Sequence, residues 1–169
     1  MIQVYTGEGK GKTTAAFGLA LRALGNGKKV VILQFMKGRK DVGEFKMGTK
    51  IQGLEIHQFG RPEFVDPMNP LPIDFELAKE GLKFAQRVLK ERKHDLLILD
   101  EVNVALKFGL LKTVDILALM KSAPKTMEVV LTGRGAPKEV IEKADLVTEM
   151  KEVSHPFESG VPAREGVEF

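Results

Sequence analysis

The sequence has no cysteine and no tryptophan, one tyrosine and three histidines. Without cysteine it has no disulfide, no thiol nucleophile, no zinc knuckle and no cysteine-ligated iron–sulfur cluster. That absence fits a reducing interior. No tract approaches the ~20 consecutive apolar residues of a membrane helix. The start, Met1-Ile2-Gln3-Val4, shows no basic segment leading into an apolar run, so no export signal is expected. The expectation is a soluble, cytoplasmic protein with no membrane partner. Internal repeats and low-complexity segments are missing as well.

What is present is an ordinary globular composition: 169 residues, 43% apolar and 29% charged. That length suits one domain over residues 1–169, with an irregular tail over 150–169 that holds Pro156, Gly160, Pro162 and Gly166. A chain of this size buries roughly 70% of its unfolded surface and needs no metal or cross-link to hold together. The net charge of +3 is too small to argue for nucleic acid. Its distribution is uneven, because Lys28 to Lys50 holds seven basic residues against Asp41 and Glu44, a local +5. Such an excess either coats a solvated loop or attracts an anionic ligand. Phe35 and Phe45 are its only rings, so it lacks the aromatic platforms of a nucleic-acid surface, and no nucleic-acid partner is expected.

Short aliphatic runs alternate with helical periodicity. Strands are expected at Ile2–Tyr5, Val30–Phe35, Leu54–Phe59, Asp95–Leu99, Glu128–Thr132 and Leu146–Met150. Helices are expected at Lys12–Leu24, from a cap at Asp74 through Leu89, at Leu110–Met120 and at Lys138–Ala144. Residues 60–73 hold four of the eight prolines and read as a loop. Val30–Phe35 is apolar without alternation, as in a strand covered on both faces. The fold class is therefore α/β, a mainly parallel sheet with helices on both faces. Ligands of such sheets bind beyond the carboxyl ends of the strands, and the unusual residues fall there: after Tyr5, Phe35, Phe59, Leu99 and Leu131.

The strongest signal is Thr6-Gly7-Glu8-Gly9-Lys10-Gly11-Lys12-Thr13-Thr14, set between a strand and a helix. In that context it reads as a phosphate-binding loop, its amides and helix N-terminus converging on phosphate oxygens. Lys12 would reach the outer phosphates, Lys10 would add charge, and the Thr13 hydroxyl would meet Mg²⁺. The strict pattern places glycine five residues before Gly11, where this chain has Thr6, so ordinary transfer of the terminal phosphate is not assumed. The second signal is Leu96-Leu97-Ile98-Leu99-Asp100-Glu101, an acidic pair closing an apolar strand. Asp100 or Glu101 would be the second Mg²⁺ anchor. Arg134 follows a strand at the ligand edge, placed for a bound ligand or a surface ion pair. Asn103 and Glu44 are similar cases. His57, His94 and His155 are dispersed without metal-ligand spacing and read as structural.

These residues, in this order, resemble the phosphate-loop type of ATP:cob(I)alamin (corrinoid) adenosyltransferases over nearly the whole chain. The markers are Thr6–Thr14 with Ala15-Ala16-Phe17-Gly18, Gln34-Phe35-Met36-Lys37-Gly38, Gly43-Glu44, Leu99–Asn103 and Thr132-Gly133-Arg134-Gly135-Ala136-Pro137. The tail Glu152–Phe157, Gly160 and Gly166–Phe169 also fits. The altered glycine spacing belongs to that family's pattern.

The resemblance implies a RecA-like nucleoside triphosphate-binding fold and a defined reaction. Cobalt of a reduced corrinoid, as Co(I), attacks the 5′-carbon of ATP; a cobalt–carbon bond forms and triphosphate leaves. Lys10, Lys12 and Glu101 are the implied catalytic residues, and Thr6 to Thr14 with Arg134 the nucleotide-binding ones. Thr13, Asp100 and Glu101 are implied for Mg²⁺. Relatives place aromatics against the corrin to displace cobalt's lower ligand; here the role falls to Phe64, in Phe59-Gly60-Arg61-Pro62-Glu63-Phe64. A homodimer, an electron-donating flavoprotein or reductase, and cobalamin or a precursor as substrate are implied too. The chain starts at its first strand, without the arm some relatives fold over the nucleotide. The other readings are a small-molecule or nucleoside kinase and a non-catalytic nucleotide-binding module.

Overall fold

The structure is a computed structural model that describes residues 1–48, 50–156 and 160–167. Phe157, Glu168 and Phe169 of the tail motif lie outside the described residues.

Six strands form one sheet: β1 Ile2–Thr6, β2 Val30–Phe35, β3 Leu54–Phe59, β4 Leu96–Asp100, β5 Glu128–Thr132 and β6 Leu146–Glu149. Their order is β3-β2-β4-β5-β1-β6, and every pairing is parallel rather than mainly so. β2 and β4 are buried along their whole length, which explains their unbroken apolar runs. Side chains alternate across the sheet. On one face Val30, Ile32, Leu96, Ile98 and Val130 meet Ala16 and Ala20 of helix α1 (Lys12–Gly25). On the other, Val31, Leu33, Phe35, Leu97, Leu99 and Leu131 meet α3 (Pro72–Glu91), α4 (Val102–Lys107), α5 (Thr113–Ser122) and α6 (Lys138–Glu142).

Three expectations shift. The second long helix, α3, begins at Pro72 and not at a cap on Asp74; Asp74 sits inside its first turn and reaches back, its Oδ2 accepting from the Leu71 amide at 2.9 Å. Pro72 suits the opening position because an N–H there would have no helical acceptor, so proline's lack of one costs nothing. A six-residue helix, α2 (Gly43–Gly48), interrupts the basic segment, and α4 follows β4 directly. Neither six-residue piece is stable alone, since helix nucleation is costly, so local pattern does not announce them. Beyond β6, residues 151–156 and 160–167 carry neither α-helix nor strand.

Candidate active site

The loop between β1 and α1 is held by the neighbouring strand. The Met150 amide donates to the Thr6 carbonyl at 2.8 Å, and the Gly9 amide donates to the Met150 carbonyl at 2.7 Å. A Cβ on Gly9 would stand 2.7 Å from the carbonyl carbon of Lys151, so only glycine fits against the end of β6. Gly11 caps α1 with φ 116°, in the left-handed region that glycine enters without a Cβ penalty. Inside the loop, Lys12 Nζ donates to the carbonyls of Gly7 and Gly9 at 2.7 and 2.6 Å. Burial lowers the pKa of this ammonium and nearby Arg134 adds to the effect, opposed by Glu101, Glu8 and Glu152. Lys10 stands at the cleft's exposed edge, its Nζ donating to the carbonyl of Val167 at 3.2 Å. Thr6 Oγ1 accepts from the Ala136 amide at 3.2 Å, which ties the loop after β5 to the end of β1.

Strand alternation assembles the second half of the site. Gln34 lies opposite Asp100 in the β2–β4 register, and Leu99 lies opposite Leu131, which puts Asp100 beside Thr132. Gln34, Asp100 and Thr132 share the parity of Ile32, Ile98 and Val130, so all three turn toward α1. There Asp100 is fully buried. Its Oδ1 accepts from Thr13 Oγ1 at 2.9 Å and Thr132 Oγ1 at 2.7 Å. Its Oδ2 accepts from Gln34 Nε2 at 3.2 Å and Lys37 Nζ at 2.8 Å. Burial pushes the Asp100 carboxyl upward, but Lys37 and the two hydroxyls hold it below the usual carboxylate range. Lys37 gains correspondingly: desolvation works against its charge, and Asp100 keeps its pKa raised.

Glu101, the next residue, adopts φ 62° to turn the chain from β4 into α4. Its amide donates to Thr132 Oγ1 at 3.0 Å. Burial first, then the adjacent Asp100, raises its carboxyl pKa, while Lys37, Lys12 and Arg134 oppose. Arg134 Nε stands 3.7 Å from Glu8 Oε2, so it both borders the cleft and forms an ion pair. Asn103 is buried beneath the same turn, its Nδ2 donating to the Gly133 carbonyl at 3.4 Å. It braces the turn that carries Arg134.

These elements surround a cleft of about 630 Å³ at the carboxyl ends of the strands. Gly9, Lys10, Gly11, Lys12, Thr13, Thr14, Glu101 and Arg134 line it, with Glu44 from α2. Thr6 and Asp100 lie buried below, Gly7 supplies a carbonyl to Lys12, and Glu8 stands beside Arg134. Phe64 is not brought to this cleft: it is wholly exposed on the loop after β3. The sequence reading missed four participants. Lys37 is hidden in a basic segment, Thr132 is an ordinary strand end, and Phe17 lies within a helix. His155, read as structural, lines the cleft from the tail.

Two oxygens here suit a hard cation. Among the described residues no cluster of three histidine or acidic ligands exists. Mg²⁺ does not require one, since it is held by one or two protein groups with phosphates and waters. Thr13 Oγ1 and Asp100 Oδ1, 2.9 Å apart, match the spacing of about 2.9 Å between adjacent ligands in an octahedron with 2.0–2.1 Å bonds.

The family described as ATP:corrinoid adenosyltransferase BtuR/CobO/CobP matches residues 1–169. A corrinoid adenosyltransferase of Pseudomonas aeruginosa is 39% identical over all of this chain and 83% of its own length. One from Sinorhizobium is 36% identical, covering all of this chain and 80% of that relative, and one from Escherichia coli K12 is 36% identical, covering 85% of its own. Among solved structures, a KaiC-like protein of Pyrococcus horikoshii superposes with a TM-score of 0.58 at 19% identity. It covers 90% of this chain and 72% of that one, and the likeness is one of fold, the RecA-like phosphate-loop arrangement. Phosphate loop, buried strand-end aspartate and full-length similarity agree: this chain belongs to the ATP:corrinoid adenosyltransferase family.

Proposed function

We propose that the cleft grips ATP by its triphosphate so that the ribose 5′-carbon, and not a terminal phosphorus, is the electrophile presented to cobalt. Family membership makes the chain an enzyme of ATP-dependent adenosyl transfer to a corrinoid. The observation that carries the residue assignment is the convergence of Lys10, Lys12, Lys37 and Arg134 on one cleft beside Thr13.

The reaction needs no general base. Co(I) donates its electron pair to the 5′-carbon, the carbon–oxygen bond breaks, and triphosphate departs with that bond's electrons as cobalt becomes Co(III). The protein's work is alignment and stabilisation of the departing charge. Alignment can remove roughly 7–11 kcal/mol of a barrier, and each pre-aimed donor adds about 3–4. The loop amides, Lys10 and Lys12 receive the triphosphate, with Lys12 leaving the carbonyls of Gly7 and Gly9 to do so. Arg134 steadies the nucleotide from the loop after β5. Thr13 and Asp100, with Glu101 adjacent, would hold Mg²⁺, which when bound would neutralise part of the triphosphate charge.

The corrinoid, cobalamin or a precursor, lies against the loop after β3. Phe64 and Met68 stand 100% and 90% exposed there, an apolar face that water leaves willingly. Phe64 supplies the ring that displaces cobalt's lower ligand. No described helix is long and apolar enough to cross a membrane, which is compatible with action in the cytoplasm. Each incoming corrinoid must first be reduced to Co(I), and a chain without cysteine has no thiol pair for the task. A flavoprotein or other reductase is the proposed electron donor, and a homodimer the proposed assembly.

The test is anaerobic incubation with Mg-ATP and chemically reduced cobalamin, following the corrin spectrum and identifying the phosphate product. Triphosphate released in step with a cobalt–carbon spectrum is expected. ADP as the sole nucleotide product would mean a kinase.

A further inference from the structure

Lys37 reaches Asp100 because two loops interlock. The Met36 amide donates to the Phe59 carbonyl at 3.0 Å, and Met36 takes φ 59° to turn the chain after β2. A Cβ on Gly60 would overlap the backbone of Met36 and Lys37, and one on Gly38 would stand 2.6 Å from the carbonyl carbon of Arg61. This close approach fixes the backbone of Lys37, from which the side chain runs down to Asp100 Oδ2 at 2.8 Å. Asp100 is completely enclosed, while 29% of the Lys37 side chain is exposed, on the side where it lines the cleft. The other groups on that carboxylate, Thr13, Thr132 and Gln34, are neutral. A buried carboxylate needs a counter-charge, and here a lysine supplies it at the position where Asp100 is read as facing a divalent cation.

We infer that Lys37 is a stand-in cation, which holds Asp100 before nucleotide binds and passes to the triphosphate when the nucleotide brings its metal to Thr13 and Asp100. The inference rests on the reading of Asp100 as a metal-side residue. A metal ion placed beside Oδ1 repels the ammonium on Oδ2. A nucleotide offers that ammonium a new anionic partner within reach of its flexible four-carbon stem. Metal alone must move Lys37 off Asp100 toward only the single carboxylates of Glu101 and Glu44, whereas metal with polyphosphate offers it a multiply charged partner. Metal and nucleotide therefore enter together, and Lys37 becomes a further positively charged contact to the leaving group.

The experiment titrates the full-length protein with Mn²⁺ alone, and separately with inorganic tripolyphosphate in the presence of Mn²⁺, by calorimetry. Lys37→Gln keeps a donor for Asp100 but removes the charge. It is expected to bind Mn²⁺ alone about tenfold more tightly than the parent and tripolyphosphate about tenfold more weakly, a coupling of ordinary size. Lys37→Arg, which keeps the charge, is expected to leave Mn²⁺ binding as weak as in the parent and serves if the glutamine variant fails to fold. Unchanged or weaker Mn²⁺ binding by Lys37→Gln, or tightened binding by Lys37→Arg, overturns the inference. Asp100→Asn separates the two levels: if Mn²⁺-dependent tripolyphosphate binding survives it intact, the metal reading of Asp100 fails, whereas its loss alongside an inert Lys37→Gln sinks the stand-in role alone.

Discussion

Thr132 donates its hydroxyl to Asp100 Oδ1 at 2.7 Å and, through the same oxygen, accepts from the Glu101 amide at 3.0 Å. One side chain at the end of β5 thereby orients a carboxylate and fixes the strained turn that follows it. Thr132→Val keeps the shape and removes both bonds. Each buried group left without a partner costs about 1–3 kcal/mol. We expect a marked loss of stability in urea unfolding, restored by Thr132→Ser, which keeps the hydroxyl.

Two glycines near the loop should respond oppositely to a methyl group. Gly9→Ala would push a carbon against the Lys151 and Met150 backbone, at 2.7–2.8 Å, and strain of this kind costs about 1–3 kcal/mol. Gly18→Ala, in the exposed middle of α1 with nothing within 4 Å, should stabilise by about 0.5–1 kcal/mol. Urea midpoints that shift in the same direction for both would refute the account of the loop as wedged against β6.

The Arg61 guanidinium grips Asp74 at 2.8 and 3.4 Å and closes the loop between β3 and α3. That hydrogen bond foremost, against the opposing effect of burial, holds the Asp74 carboxyl below its usual pKa. With the folded value depressed, the stabilisation is complete above the unfolded value of ~3.9 and disappears as pH falls through the folded value. Asp74→Asn should cost about 1–3 kcal/mol at neutral pH. The gap to the parent should close in acid and stay constant from pH 6 to 8 (urea unfolding across pH).

Phe64 is fully exposed, so Phe64→Ala should leave stability within about 0.5 kcal/mol of the parent. Turnover from cobalamin supplied as Co(I) should persist. Turnover from Co(II) with a reductant should fall by roughly two- to tenfold, the worth of one aromatic contact of about 0.5–1.5 kcal/mol. Unchanged turnover from Co(II) would remove Phe64 from the corrin site.

Much of the architecture is legible in the chain because the sheet core speaks in long aliphatic runs. Val30–Phe35, Leu54–Phe59 and Glu128–Thr132 are strands with the bounds that the sequence suggests. β4 instead runs through Asp100, one residue past the expected end. An aspartate breaks an apolar pattern, and only partners from three other elements make it tolerable there. On α3 the spacing puts Leu77, Gly81, Phe84, Ala85, Val88 and Leu89 on one face; Leu77 and Phe84 are only half-buried, the other four are buried, and Ala78 and Leu82 join them. Short α2 and α4 were invisible for want of length, and His155, although inside the tail motif, had no ligand spacing to set it apart as a cleft residue.

The sequence by itself determined the α/β class, the phosphate loop and the family, since these depend on periodicity and on residue types at fixed local spacing. Tertiary structure decided which charges meet. Gln34, Lys37, Asp100 and Thr132 come from three strands or their ends, and Thr13 from a helix. Their grouping follows from strand order and register, which arise from long-range pairing. It decided likewise that Gly7 and Gly9 answer to the backbone of Met150 and Lys151, just past β6, as well as to a ligand. Electrostatic partnership is set by distance and burial in space, and neither quantity is written in the order of residues along the chain.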